Sequence, residues 1–522
     1  MKKEKVKMLQ VFYGLALAVF FTLAGCGNGD HCNNNCGAPP NDQLQASLVE
    51  IDRYIRQGMV DWQIPGMTVA IVRGDSVLFM KAYGVKTLGG NDPVNLETLF
   101  QIGSTSKSFT TALLAMDVGD GKYGWHDQVL KLLPDFKMYD PWVTEQFQVV
   151  DLSAQHSGMP DQASGSVNMY GWSRQHTIYS IRFVPPVTSF RTEFAYQNNL
   201  FLVDAALIEK FSGKTWEDNV RDRIFKPLGM IKSSVDMASF QNSPNAATLH
   251  RRMGERIVPL DMNWEYLDWT YRYGPAGGIN SNIIDMTRYL RLHMHNGNFE
   301  GRQLIKESNA VFVHSPQTIM PPEANAPQDY YCQGWVRRDY NPFPIIWHTG
   351  KTSGFKTFLS FIAEAQIGVV VLTNLDSNAF ADAIAYRFYD MYFGHPFRDW
   401  SKEELEKARQ KRAQEEADKP VPPPFPEPHR PLAEYAGDYF NPVYETVNVA
   451  VNGDGLLVTI GPKHGHFWLR PWDGDTFMSA TDIYTVMEDV GFATFEADSG
   501  GNVISVTIDA LDDNGTGTLT KM

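Results

Sequence analysis

An α/β sandwich followed by a small antiparallel β-barrel is the architecture this sequence predicts, on three observations. Strand-like runs stand at both ends of residues 42–398, MTVAIV and SVLFMKAYG at one end and IIWHTG, FKTFLSFIA and IGVVVLTN at the other. The stretch between them is mostly helical in pattern, so one sheet must be assembled from distant parts of the chain. Residues 432–522 alternate short β-rich runs such as TVNVAV, LLVTI and ISVTIDA with turns rich in Gly, Asn and Asp, the pattern of a small antiparallel barrel or sandwich. Residues 399–431 separate the two parts with a charged, helix-like run lacking an apolar stripe and then the proline-rich VPPPFPEPHRP, which reads as a spacer.

Composition supports a packed core and excludes several classes. The 522 residues are 43% hydrophobic and 12% aromatic, with 42 Gly and 30 Pro spread along the chain, which is neither collagen-like nor disordered. Against 60 Asp+Glu there are only 46 Lys+Arg, a formal charge of −14, which opposes binding to a phosphate backbone and argues against nucleic acid as a partner. Four cysteines are too few for a disulfide scaffold.

The chain opens with the basic head MKKEKVK and an uncharged apolar run that ends Leu23-Ala24-Gly25-Cys26. A basic head, an apolar stretch and a small-residue end make a removable export signal. The ending resembles the lipobox of bacterial lipoproteins, which implies cleavage after residue 25 and an acyl anchor on Cys26; an ordinary secretory signal is the alternative. Either way the mature protein leaves the cytoplasm, and the lipobox places it on a membrane of the cell envelope. Residues 26–41 are Gly-, Asn- and Pro-rich and read as a flexible tether in which Cys32 and Cys36 could pair. Leu44, Leu48, Ile51, Ile55 and Met59 then recur at helical spacing, followed by a hairpin turning at Arg73-Gly74-Asp75 and a helix from Ser104 to about Asp117.

Several chemistries lack their motifs. Gly213-Lys214-Thr215 and Gly350-Lys351-Thr352 resemble the end of a phosphate loop, but Ile208 and Ile345 stand where its first glycine belongs. There is no G-x-S-x-G elbow, no H-E-x-x-H and no paired C-x-x-C, so neither an α/β-hydrolase elbow nor a metal site has support, and no cofactor is implied.

Three elements remain. Ser104-Thr105-Ser106-Lys107 follows a strand and a glycine and opens a helix, so the serine sits where backbone N–H groups are free and the lysine one turn on shares its face. A serine needs a base to become a nucleophile, and a lysine serves only when burial or neighbouring cations lower its pKa. Tyr196-Gln197-Asn198 offers a phenol to relay a proton and an amide to hold a substrate carbonyl. His348-Thr349-Gly350 closes a strand-like run whose edge could pair with a substrate backbone. Ser353-Gly354-Phe355-Lys356 repeats the first motif in a loop-to-strand context and Tyr439-Phe440-Asn441 repeats the second in the C-terminal part; both read as accidents. His156 reads as holding a loop, the aromatic cluster WEYLDWTYRY at 264–273 as a partly buried patch rather than a cleft wall, and His464 and His466 lack further ligands for a metal.

The order and spacing of these elements resemble the serine β-lactamase-like superfamily: class C β-lactamases, D-alanyl-D-alanine carboxypeptidases of the R61 type, D-aminopeptidases and related esterases. The resemblance covers about 350 residues through the blocks IPGMTVAIVRGD, ETLFQIGSTSKSFTT, LSAQHSGMPD, FAYQNNLFLVDAALIEK, AGGINSNIIDMTRYL and WHTGKTSGFKTFLSFIAEAQIGVVVLTN. It implies an antiparallel sheet flanked by helices, with an all-helical subdomain. A fainter resemblance, carried by PLAEYAGDY, is to the lipocalin-like barrel appended to some of these hydrolases.

By that resemblance Ser104 is the acylated nucleophile, Lys107 its proton partner and Tyr196 the general acid or base. Asn198 holds the acyl-side amide, and the N–H groups of Ser104 and Lys351 form the oxyanion hole. Which of Lys107 and Tyr196 takes the proton in acylation stays open, since the two titrate as a pair. The family's usual Lys-Thr-Gly is His348-Thr349-Gly350 here. A histidine is only partly charged near pH 7, which weakens anion recognition and favours peptides, amides or esters over β-lactams. The expected activity is therefore an exported serine hydrolase acting on a small peptide, amide or ester, with cell-wall peptide as one candidate. The alternatives are a β-lactamase or a non-catalytic envelope protein that binds penicillin or peptidoglycan.

Overall fold

A computed structural model describes residues 41–323, 326–480 and 491–522. The expected export signal, Cys26, Cys32, Cys36 and nearly all of the expected tether lie outside the described residues. Helix α1 (Asn41–Trp62) buries Leu44, Leu48, Ile51 and Ile55 on one face. It leads into the hairpin β1 (Gly66–Arg73) and β2 (Ser76–Gly84). The helical middle contains α2 (Ser106–Gly119), α3 (Leu200–Ser212) and α4 (Ile283–Met294). The chain then returns to the sheet with β3 (Thr318–Ile319), β4 (Asp329–Tyr331), β5 (Val336–Arg338), β6 (Ile345–Lys351), β7 (Lys356–Ile362) and β8 (Ile367–Thr373). Helices α5 (Phe380–Phe393) and α6 (Trp400–Ala417) follow.

The sheet has eight strands in the order β2-β1-β8-β7-β6-β5-β4-β3, every neighbour antiparallel. Its first two strands come from the N-terminal end of the domain and pair with the last one, as expected. The apolar runs of β1 and β8 are continuous because both faces of those strands are covered. Val69, Ile71, Val369 and Val371 pack with α1 and α5, whereas Ala70, Val72, Val370 and Leu372 pack with α2, α4 and the helical middle. Helix α2 runs through that second core and is buried over almost its whole circumference. Its hydroxyls are bonded to carbonyls, Thr110 to Pro275 and Thr111 to Gln333, which makes their burial tolerable.

The expected spacer begins as a docked helix. Only the front of α6 is apolar, and there Trp400, Leu405 and Ala408 pack on the α1/α5 core. Trp400 Nε1 donates to Asp390 (2.6 Å) and Trp62 Nε1 to Ser401 Oγ (3.0 Å). The seat depends on so few residues that the charged composition of the run conceals it.

The C-terminal part is a closed eight-stranded antiparallel barrel, β9 (Gly437–Asn441), β10 (Glu445–Asn452), β11 (Gly455–Ile460), β12 (Gly465–Asp473), β13 (Thr476–Ala480), β14 (Phe492–Ala497), β15 (Val503–Ile508) and β16 (Thr518–Lys521). Alternate residues point inward: Val447 and Val449, Leu456 and Val458, Phe467 and Leu469 are buried. The second Y-x-N copy belongs to this scaffold, with Tyr439 buried and its hydroxyl donating to Tyr435 O (2.6 Å). The barrel packs on the helical middle. Gly461 and Gly465 lie against Tyr170 and Trp172, and Lys463 donates to Glu265 O and to Asp268 (2.6 Å).

Candidate active site

The turn that carries Ser104 is built on backbone contact. Phe100–Gln101 pairs with Asn280–Ser281, and Gly103–Thr105 makes one tight turn before α2 begins. Gly103 has φ +53°, a left-handed conformation, and a Cβ there would lie 2.7 Å from the backbone N of Lys351. On the facing strand, a Cβ at Gly350 would lie 1.8 Å from Ile102 O. Only glycine at both positions lets the end of β6 come this close to Ser104.

Lys107 is wholly buried. Its Nζ has three polar neighbours: Ser104 Oγ at 3.1 Å, Asn198 Oδ1 at 2.6 Å and Ala276 O at 3.0 Å. Two aromatic faces complete the pocket, Tyr196 and Phe201 at 4.7 and 5.2 Å from Nζ to the ring centres. Among the described residues no carboxylate is hydrogen-bonded to the amine, and burial drives its pKa well below the ordinary lysine value. Three oxygen neighbours suit an ammonium and an amine alike, and burial is what favours the neutral amine. A carbonyl and an amide oxygen can only accept, so the two N–H bonds of an amine go to Asn198 and Ala276 and its lone pair faces the Ser104 hydroxyl.

Tyr196 and Asn198 lie in the extended segment before α3, which is clipped on both sides. Tyr196 N donates to Asp161 Oδ1 (2.7 Å), Tyr196 O accepts from Gln162 N (2.6 Å), and Asn199 Nδ2 donates to Ala163 O (2.8 Å). Gln197 exchanges hydrogen bonds with the Gln155 amide (2.5 and 3.0 Å). The Tyr196 phenol is pushed above its ordinary value by burial, opposed by a hydrogen bond with Ser104. The phenol thus stays protonated at physiological pH, next to a serine whose other neighbour is an amine of depressed pKa.

Strand β6 differs from the expected edge strand in half its length. Residues Ile345–Trp347 pair with β5, so the strand is internal there. From His348 to Lys351 it pairs only with β7 among the described strands, leaving an edge toward Ser104. His348 is nearly fully buried. Its Nδ1 is 2.6 Å from Thr349 O, an acceptor, so the proton sits on Nδ1 and Nε2 accepts from Tyr331 Oη at 3.2 Å. Burial drives its pKa down to about 3, and the nearby Lys107, when charged, adds to the effect. The expectation of partial charge sharpens into a neutral imidazole. The fixed positive charge near the motif belongs instead to Lys356, which donates to Thr349 Oγ1 (2.7 Å) and faces Asp382 at 3.6 Å.

These residues open on a cleft of about 960 Å³ lined by Ser104, Tyr196, Asn198, His348, Thr349 and Lys351. All predicted site residues except Cys26, which lies outside the described residues, are therefore brought to one place, with Lys107 and Gly350 just beneath the surface. Sequence reasoning missed others. Tyr331 bridges Tyr196 and His348 edge-on at 6.2 and 6.0 Å; it had no motif to signal it. The second S-x-x-K proves to be part of the site, since Ser353 accepts from Trp269 Nε1 (3.2 Å) and Lys356 holds Thr349. Trp269 and Tyr273 line the cleft while Trp264 and Tyr266 are buried, so the aromatic cluster is both wall and core. Three barrel carboxylates, Asp509, Asp512 and Asp513, also line the cleft. His156 holds its loop by bonds to Asp151 (2.9 Å) and Thr318 (2.9 Å). Among the described residues no group of three or more His, Cys, Asp or Glu is placed to hold a metal ion.

Comparison with known proteins agrees with this geometry. Residues 51–390 match the family model described as Beta-lactamase, and residues 421–518 match a domain of unknown function, DUF3471. The chain is 28% identical over 432 residues to the unguisins hydrolase ungD' of Aspergillus campestris (strain IBT 28561), covering 78% of each chain. It is 22% identical over 339 residues to protein flp of Staphylococcus aureus (strain NCTC 8325 / PS 47), covering 65% of this chain and 64% of flp. The structure of the octameric penicillin-binding protein homologue from Pyrococcus abyssi is similar in fold, with a TM-score of 0.59 and 20% identity over 90% of this chain and 99% of the other. With a family model spanning well over half its length and the serine, lysine and tyrosine assembled in one cleft, the chain belongs to the β-lactamase family of the serine β-lactamase/transpeptidase superfamily.

Proposed function

We propose that the protein is an exported serine hydrolase that cleaves an amide, peptide or ester bond through an acyl-enzyme on Ser104. The observation that carries this reading is the environment of Lys107: a buried amine with two acceptor-only neighbours and a serine hydroxyl as its third. Ser104 Oγ gives its proton to Nζ as it bonds to the substrate carbonyl carbon. The oxyanion is held by the N–H groups of Ser104 and Lys351, where losing one donor typically costs about 10²–10³ in rate. The proton then passes from Lys107 through the neighbouring Tyr196 phenol to the leaving nitrogen or oxygen as the acyl bond breaks. Water attacks the acyl-enzyme with its proton drawn off along the same path, releasing the acid and restoring Ser104. Asn198 holds Lys107 by its amide oxygen, leaving its NH₂ to donate to the acyl-side amide carbonyl.

The neutral His348 disfavours substrates that depend on a fixed cation at the first position of the strand motif, so peptides, amides and esters fit better than β-lactams. The unguisins hydrolase relative supports hydrolysis as the reaction class. The basic and apolar leader ending at Cys26 supports export and lipid anchoring in the cell envelope, where cell-wall peptide is within reach as a substrate. A panel of D-amino-acid amides, short peptides, p-nitrophenyl esters and nitrocefin, run on wild type and Ser104→Ala, tests the reading. Turnover of an amide or ester that disappears in Ser104→Ala is the expected result; equal turnover by both proteins contradicts it.

A further inference from the structure

The barrel reaches the catalytic tyrosine in two steps of hydrogen bonding. Its loop after β15 places Asp513 Oδ2 on the backbone N–H of Ser164 at 2.5 Å. Two residues on, Ser166 Oγ lies 2.6 Å from the hydroxyl of barrel Tyr444, which donates to Leu511 O at 3.0 Å; since a carbonyl only accepts, Ser166 is the donor to Tyr444. Gln162 and Ser164 both have left-handed backbones, φ +54° and +56°, conformations that non-glycine residues keep only when their surroundings fix them. The residues immediately before, Asp161 and Gln162, hold both backbone groups of Tyr196, and Ala163 O holds Asn199. The barrel also lines the Ser104 cleft with Asp509, Asp512 and Asp513.

We propose that the C-terminal barrel is a working part of the hydrolase rather than an appended binding module: through Asp513 and Tyr444, acting as positioning residues, it fixes the 161–166 segment and with it the Tyr196 phenol. The proposal rests on the role given to Tyr196 above. Because a proton relay depends on distance more steeply than substrate binding does, loosening the segment lowers kcat more than it raises KM.

The test uses the full chain and an ester or amide substrate that the wild type turns over. Asp513→Ala removes the acceptor and is expected to lower kcat roughly ten- to hundredfold with KM changed less than about threefold. Asp513→Asn keeps an oxygen that accepts the same N–H and is expected to recover most of that loss. Tyr444→Phe, which keeps the packing, is expected to show the same kcat-selective fall in a protein that melts near the wild-type temperature. Asp498→Ala removes a carboxylate that accepts from Gly500 N and Asn502 N within its own barrel turn and is expected to leave kcat unchanged. Wild-type kcat in both Asp513→Ala and Tyr444→Phe overturns the proposal. So does a rise in KM alone shared equally by Asp513→Ala and Asp513→Asn, which would mean the substrate reads the charge, or an equal fall in Asp498→Ala. Ser104→Ala, run in parallel, separates the two ideas: if it stays active, the serine-hydrolase reading itself fails.

Discussion

Lys107 Nζ and Ser104 Oγ lie 3.1 Å apart, and the two other polar atoms in reach of that amine accept hydrogen bonds only. With the amine neutral, those two acceptors take its N–H bonds and leave its lone pair for the Ser104 hydroxyl, so the charge state of Lys107 decides whether proton transfer from serine to lysine works.

Lys107→Arg puts at the position a cation that does not deprotonate. The expected result is a loss of about 10²–10⁴ in kcat/KM on an ester substrate, together with loss of labelling by a fluorophosphonate. Lys107→Met is expected to be equally inactive yet no less stable, since it removes a buried amine that burial penalises when protonated. An equilibrium urea titration of the Met variant checks the second half.

The pH profile follows from the two shifts. The lowered Lys107 pKa means the base is available well below the ordinary lysine range, so kcat/KM rises with pH through that depressed value and then levels. The raised Tyr196 pKa keeps the phenol protonated, so no alkaline fall is expected below pH 10. Stability has the same sign for the lysine: the native state tolerates neutral Lys107 and loses stability as pH falls through its depressed pKa. Initial-rate measurements from pH 4 to 10 check the profile, and an inflection at the ordinary lysine pKa contradicts it.

His348 is expected to stay neutral, protonated on Nδ1, throughout the range in which exposed histidines titrate. Imidazole ¹⁵N chemical shifts across that range, assigned with His348→Gln, read this directly. A protonation midpoint near 6.5 would show that the ring meets solvent and that a switchable charge sits at the head of the strand motif.

Gly350→Ala drives a methyl group to within 1.8 Å of Ile102 O if nothing moves. The neighbour is backbone, so relief must come from shifting β6 away from the nucleophile turn. A stability loss of about 1–3 kcal/mol is expected by urea denaturation, with a larger proportional loss of probe labelling at Ser104.

Asp204 sits wholly buried in α3 beside Ser153 (2.7 Å), and burial raises its pKa to about 8. A carboxyl whose folded pKa is raised gives its full stability below the unfolded value near 3.8 and loses it progressively as pH rises toward about 8. Asp204→Asn should therefore gain on wild type in melting temperature between pH 5 and pH 9. Parallel thermal melts at the two pH values check the sign.

The sequence made the chemistry legible where it is local. Ser104 and Lys107 are one helical turn apart, and Tyr196 and Asn198 sit two residues apart on an extended segment, so spacing alone proposes their neighbourhood. Apolar runs in β1 and β8 likewise declared strands, and the structure covers both faces of each. What stayed hidden depends on contacts between distant segments. The neutrality of His348 follows from Tyr331 and from burial against Lys107, neither of which its own neighbourhood in the chain reveals. The half-internal character of β6 depends on three residues of β5. Lys356 looked accidental because its partner, Thr349, lies across a hairpin and not along a helix. The barrel's hold on the 161–166 segment hangs on Asp513 and Tyr444, two residues that no pattern in the barrel sequence distinguishes from its other turn and core positions.

The most direct test of the account is the site of covalent capture. Intact-protein and peptide mass spectrometry after brief exposure to a fluorophosphonate or a penicillin should show one adduct per chain, on the peptide carrying Ser104. The adduct should be absent in Ser104→Ala and nearly absent in Lys107→Arg. An adduct on any other residue, or undiminished labelling of Lys107→Arg, would contradict a serine activated by a neutral buried lysine.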